Sequence, residues 1–155
     1  MDPVRTMVLQ EEIRQLKAKY FRLMDTKQWD QWRLLFADDI IVIVDTAVST
    51  GGRSGNPLPT RQGVDEFVAT TREAIEECTT VHHGHMPEIE LLSETEATGI
   101  WAMEDIVEHP NGRRFQGHGH YHEKYRKENG AWQIYSLHLT RLRVRESTAA
   151  RWGDM

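Results

Sequence analysis

Ala97-Thr98-Gly99-Ile100-Trp101-Ala102-Met103-Glu104-Asp105-Ile106-Val107-Glu108-His109 decides the fold of this chain. Successive side chains of a strand point to opposite faces, so Ala97, Gly99, Trp101, Met103, Asp105 and Val107 share one side. Asn111-Gly112 follows, and an Asn-Gly pair between alternating runs signals a hairpin, because a tight primed turn needs positive φ. Working outward, alternating strands are predicted over 87–94, 97–109, 113–126 and 131–145. Turns fall at Ser93-Glu94-Thr95-Glu96, Asn111-Gly112 and Asn129-Gly130.

Upstream, the hydrophobic period changes from two to 3.6. Leu9, Ile13, Leu16, Tyr20 and Leu23 form one core-facing stripe of a helix. A short helix is predicted over Trp29–Phe36, and a third along Val64, Phe67, Val68, Thr71, Ile75 and Cys78. Between them, Ile40-Ile41-Val42-Ile43-Val44 reads as a buried β-branched strand. Residues 46–60 form a long irregular loop, either a mobile surface connection or a lid over a site. Helices followed by an antiparallel meander make an α+β fold, with the helices covering one face of a curved sheet. We expect one domain over 1–155, with a core at about 8–145 and a tail at 146–155.

Bulk properties narrow the function. A 155-residue chain is long enough to bury a core and leave a pocket. The net charge of -5 argues against a nucleic-acid partner, whose phosphates call for a basic face. No long apolar run predicts a membrane span, and the start lacks the apolar centre of a signal peptide. Cys78 is the one cysteine, which fits a reducing cytoplasm, and its place on a helix stripe reads as a core thiol.

Val81-His82-His83-Gly84-His85-Met86-Pro87-Glu88-Ile89 places three histidines directly ahead of an alternating pattern. Histidine alone has an unperturbed pKa near neutrality, so this cluster is a candidate for proton transfer. Asp105 shares its strand face with Trp101 and Met103, where a carboxylate is costly unless paired; it could be structural or could orient a histidine. Tyr135, Leu137, Leu139 and Arg141 are expected on one face of the last strand, with Arg141 either pairing a carboxylate or supplying charge to a ligand. Tyr20 lies on the first helix stripe, and Asp25 near that helix's end. His118, His120 and His122 alternate in Gly-His-Gly-His-Tyr-His. Imidazoles two apart on a strand can share zinc. Their face continues with Arg114, Gln116, Lys124 and Arg126, whereas Phe115, Tyr121 and Tyr125 take the opposite one. We therefore expect no metal, and an outward or subunit-facing role.

These residues carry a resemblance to a known family. The helix from Ile13 to Trp29, then His82-His83-Gly84-His85-Met86-Pro87-Glu88-Ile89, Ala97–Asp105, Tyr121–Tyr125 and Gly130-Ala131-Trp132 leading to Arg141 resemble SnoaL-like proteins of the nuclear-transport-factor-like superfamily. The resemblance implies a cone-shaped, cystatin-like α+β barrel around a deep hydrophobic pocket. Within it, the motifs are most similar to bile-acid 7α-dehydratases, and more distantly to scytalone dehydratases and hexachlorocyclohexane dehydrochlorinases. It implies catalytic roles for Tyr20, His82, Asp105 and Arg141, with Asp25 a further pocket acid. In the dehydrochlorinases the aspartate paired with the histidine matches Asp25, so either Asp25 or Asp105 orients His82. His85 also matches a family histidine; His83 does not.

The expectation is a cofactor-independent carbon–oxygen lyase, a dehydratase for a small hydrophobic cyclic substrate of steroid or polyketide type. Trp101, Met103, His85, Leu137 and Leu139 would bind that substrate. Isomerisation or cyclisation by the same base is the alternative within enzymes. A ligand-binding module or the small subunit of an aromatic-ring oxygenase is the alternative outside them. Resemblance further implies a dimer or trimer, and the outward face of the strand leads us to expect His118, His120 and His122 at its interface, with acid pH loosening it.

Overall fold

A computed structural model describes residues 1–148; the tail residues 149–155 lie outside the described residues. Helix α1 (Pro3–Asp25) starts where Asp2 accepts from the Val4 and Arg5 amides, each at 3.3 Å, with a proline in the first turn. It buries the predicted stripe of Leu9, Ile13, Leu16, Tyr20 and Leu23, together with Lys17. Helix α2 (Trp29–Arg33) stops short of Phe36, because the chain turns extended there. Strand β1 (Phe36–Val44) is correspondingly longer than the apolar run alone predicts. Strand β2 (Arg61–Gln62) and helix α3 (Val64–Ile75) follow, then the meander of β3 (Thr79–Leu91), β4 (Glu96–Glu108), β5 (Arg114–Glu128) and β6 (Ala131–Ser147). No helix among the described residues is long and apolar enough to cross a membrane.

The six strands form one sheet in the order β2-β1-β6-β5-β4-β3. Only the β1–β6 pair is parallel. Edge strands β2 and β3 are not paired with each other, so the sheet curls around its contents without closing. Burial on β4 alternates along its length, with Ala97, Gly99, Trp101, Met103 and Asp105 buried, as the opening stretch predicts. The α1 stripe packs into the concavity. Aromatic rings of Tyr20, Trp32, Phe36 and Phe67 meet there edge to face or tilted, with centroids 4.7 to 5.9 Å apart.

Two irregularities of register correct the sequence reading. Strand β3 begins at Thr79 rather than near 87, so the histidines lie within it. Its bulge falls between His85 and Glu88, at Met86 with φ 34°, where two residues oppose one and the inward parity switches. Thr80 and His82 point inward before the bulge; Ile89 and Leu91 pack on the core after it. In β6 the pairing with β5 slips between Tyr125↔Ile134 and Lys124↔Ser136. That slip puts Trp132 and Ile134 in the core beside Leu137, Leu139 and Arg141. It leaves Tyr135 outside their face, with its ring 5.3 Å from the Arg126 guanidinium.

Candidate active site

Asp25, the last residue of α1, is brought against the inward side of β3. Its Oδ1 lies 2.7 Å from His82 Nδ1, and its Oδ2 accepts the His82 backbone N–H at 2.8 Å. Thr80 donates to the same carboxylate at 2.9 Å, and the Lys27 ammonium donates to Thr80 at 2.7 Å. With Nδ1 directed at Asp25, the His82 ring leaves Nε2 on the side of the concavity. That atom is 4.0 Å from Asp105 Oδ2, outside hydrogen-bond reach. Asp25, rather than Asp105, therefore has the geometry that orients His82.

Asp105 has another partner. Its two oxygens take a bidentate pair from Arg141 Nη1 and Nη2 at 2.7 and 3.1 Å, both side chains being buried. Arg141 Nε donates to the Asp45 carbonyl at 3.2 Å. The site thus meets an almost neutral ion pair rather than a bare cation. Gly117 makes room for it: a Cβ there would lie 2.3 Å from Arg141 Nη1 and 2.5 Å from Asp105 Oδ1. Two positions on, a Cβ at Gly119 would lie 1.8 Å from the Thr140 carbonyl oxygen. The glycines of Gly-His-Gly-His are therefore inward clearances, and its histidines point out. Gly117→Ala is expected to lower stability by about 1–3 kcal/mol, the usual cost of overpacking. Thermal unfolding reads this, and an unchanged midpoint would show that the pair shifts freely.

Tyr20, His82, Asp105, Leu137, Leu139 and Arg141 line one cavity of about 250 Å³, floored by Tyr121 and Trp32 and walled by α3 and the loop after β1. Burial first, then the Glu123 carboxylate, pushes the Tyr20 phenol far above its ordinary value, and burial does the same for Tyr121. Both therefore remain protonated and are suited to donate hydrogen bonds. Asp25 faces a second, more open cleft of about 490 Å³, which also touches His82, His83, His85 and Trp101. His82 is the link between the two spaces. The structure thus parts the residues expected at the substrate. His85 and Trp101 line the outer cleft, because the inward parity that holds His82 excludes His85, and the Trp101 indole turns to donate to the Tyr125 hydroxyl at 2.8 Å. Met103 lines neither space; its Sδ lies 3.6 Å from Arg141 Nη1.

The loop 46–60 is tied down. Thr46 and Ala47 donate backbone N–H groups to the Gly55 carbonyl at 2.9 Å each. Ser49 exchanges bonds with Arg141, its N–H donating to the Arg141 carbonyl at 2.9 Å and its Oγ accepting from the Arg141 N–H at 2.8 Å. Thr46 and Leu58 reach the cavity wall, so the loop is part of the enclosure. On the outer sheet face His118, His120 and His122 stand in a row joined by His138 opposite His122. Ring centroids of His120, His122 and His138 are 6.3 and 6.4 Å apart in succession. No three His, Cys, Asp or Glu side chains among the described residues are grouped to hold a metal ion.

The cavity-lining Asp45 and Arg61 escaped the sequence reading, and so did a buried ion pair. The Lys17 ammonium is fully buried, pairs with Glu123, and lies 3.6 Å from the ring centroids of both Tyr20 and Tyr121. Tyr125 donates to the other Glu123 oxygen. The signal was present: Lys17 sits beside Leu16 and Tyr20 on an otherwise apolar stripe, and Glu123 alternates with Tyr121 and Tyr125. Two opposite charges on two apolar faces call for each other.

Comparison with known proteins agrees with this architecture. A Gibberella zeae protein named as a candidate cyclase is 26% identical over 133 residues, covering 84% of this chain and 89% of that protein. A candidate scytalone dehydratase of Novosphingobium aromaticivorans superposes with a TM-score of 0.79 at 20% identity, over 94% of this chain and 92% of that one. A type 3 hexachlorocyclohexane dehydrochlorinase of Novosphingobium barchaimii reaches 0.77 at 14% identity, over 94% of each chain. At such identities the structural likeness speaks to the fold. The family model of the SnoaL-like domain matches residues 5–138, nearly the whole helix-and-meander body built above, and the chain belongs to that family.

Proposed function

We propose that this protein is a cofactor-independent lyase, a dehydratase acting on a hydrophobic cyclic substrate. The observation that carries the reading is the His82–Asp25 contact at 2.7 Å, which backs a histidine that lines a cavity with mostly hydrocarbon walls. His82 Nε2 removes a proton from a carbon acidified by a neighbouring carbonyl, and Asp25 stabilises the imidazolium that forms. Tyr20 and Tyr121 donate hydrogen bonds to the developing oxyanion or to the departing hydroxyl. The Asp105–Arg141 pair holds a fixed dipole beside the reacting atoms. The abstracted proton and the expelled hydroxide leave together as water, so no co-reactant is consumed. Leu137, Leu139 and the α3 wall exclude solvent, which strengthens each polar contact.

The likeness to a protein named as a candidate cyclase supports a second reading, in which the same base forms the enolate and a ring closes with no group lost. Mass spectrometry of products from cyclic β-hydroxyketones separates the two. Loss of one water supports dehydration, unchanged mass with altered retention supports cyclisation or isomerisation, and binding without turnover sinks both. The same assay orders the histidines. Alanine at His82 is expected to cost most, at His85 an intermediate amount through the outer cleft, and at His83 least. A dead His83→Ala variant beside an active His82→Ala one would reverse the assignment of the base.

A further inference from the structure

Arg61 opens β2, the edge strand at the end of the sheet opposite β3 and His82. Its side chain lines the cavity. Nε donates to the Thr70 hydroxyl at 3.1 Å and Nη1 to the Pro59 carbonyl at 3.4 Å, both neutral acceptors. On the same cavity Arg141 is paired with Asp105, both side chains buried, and the Asp45 carboxylate lies 3.3 Å from His138 Nε2. Arg61 has no acidic partner among the described residues, so its permanent charge is not met by a carboxylate as that of Arg141 is. Val44, Leu58, Phe67 and Ile75 line the same cavity and contribute hydrocarbon to its wall.

A partly desolvated guanidinium with free donors is best satisfied by a carboxylate or a similar oxyanion, which it meets in bidentate geometry. We propose that Arg61 is an anion-binding subsite, and that the ligand of this cavity is an apolar ring system carrying one acidic group. The acid sits at the β2 edge and the rings fill the space toward β3. That the far end of such a ligand is the reacting end rests on the dehydratase reading; the preference for an anion does not.

Fluorescence titration with two probes of similar shape tests this. Anilinonaphthalene sulfonate is anionic and phenylnaphthylamine is neutral. Arg61→Met is expected to weaken the sulfonate by about tenfold, the scale of one charge-assisted pair, and to leave the neutral probe unchanged. Arg61→Lys should keep part of the preference, and naphthoate should displace the sulfonate where its methyl ester does not. Equal weakening of both probes, or a sulfonate affinity untouched by the substitution, overturns the subsite. The titration reads binding alone. Arg61-dependent sulfonate binding in a protein that dehydrates nothing would therefore sink the proposed reaction and leave the subsite standing.

Discussion

Replacing His82 with alanine is expected to lower the proposed dehydratase turnover by about 10²–10⁴-fold, the contribution of a positioned general base. Folding should survive, since His82 packs at the edge strand and its loss leaves Asp25 with the Thr80 hydroxyl and the residue 82 amide as donors. Asp25→Asn should reproduce most of the loss, because an amide cannot stabilise the imidazolium and can trap the wrong tautomer. Asp105→Asn separates the two carboxylates. It breaks the ion pair with Arg141 and lowers stability, but leaves the His82 contact with Asp25 intact. Steady-state kinetics beside thermal unfolding distinguishes these outcomes. Near-full turnover in His82→Ala, or a tautomer effect following Asp105 rather than Asp25, would remove the assignment.

The second large effect lies in the core. Lys17→Met leaves Glu123 buried without its cation and is expected to cost about 3–5 kcal/mol. Lys17→Met combined with Glu123→Gln should recover much of that, because no charge is then stranded and the Tyr125 hydroxyl keeps an acceptor. Urea unfolding of the three proteins measures it; a double variant as unstable as the single one would mean that the pair is not the source. A pH dependence accompanies the substitution. Burial, only partly offset by Glu123, lowers the Lys17 ammonium from 10.5 to about 8. Between those values the unfolded chain holds more of this proton than the folded one, so the Lys17 contribution to stability rises with pH across that window. Below pH 8 the full penalty of the buried cation is present. The rise should vanish in the double variant.

Much of this was legible without coordinates. The period of two in residues 97–109 and the Asn-Gly turns set the meander, and the 3.6 period of Leu9 to Leu23 set α1, because both patterns are local consequences of backbone geometry. The faces of Trp101, Asp105 and the outward His118–His122 row followed from the same alternation. The parity of β3 and the place of Tyr135 did not. A bulge at Met86 and a slip before Ser136 each insert one residue, and nothing in a short sequence window distinguishes such an insertion from continued alternation.

Tyr20, Asp105 and Arg141 stood out in the chain as polar groups on apolar faces, whereas the choice of His82 within its cluster and the inclusion of Asp25 came from the family resemblance. What the sequence by itself determined is which side chains had to find partners, since an isolated charge on a buried face is too costly to leave. Which partner each one took was decided only by tertiary structure. His82 reached Asp25 across 57 residues, Asp105 reached Arg141 across 36, and Lys17 reached Glu123 across 106. Such pairings depend on how α1 seats in the curved sheet and on the register of β3, β4, β5 and β6. Those are set by packing and long-range hydrogen bonding, for which residue spacing along the chain carries no record.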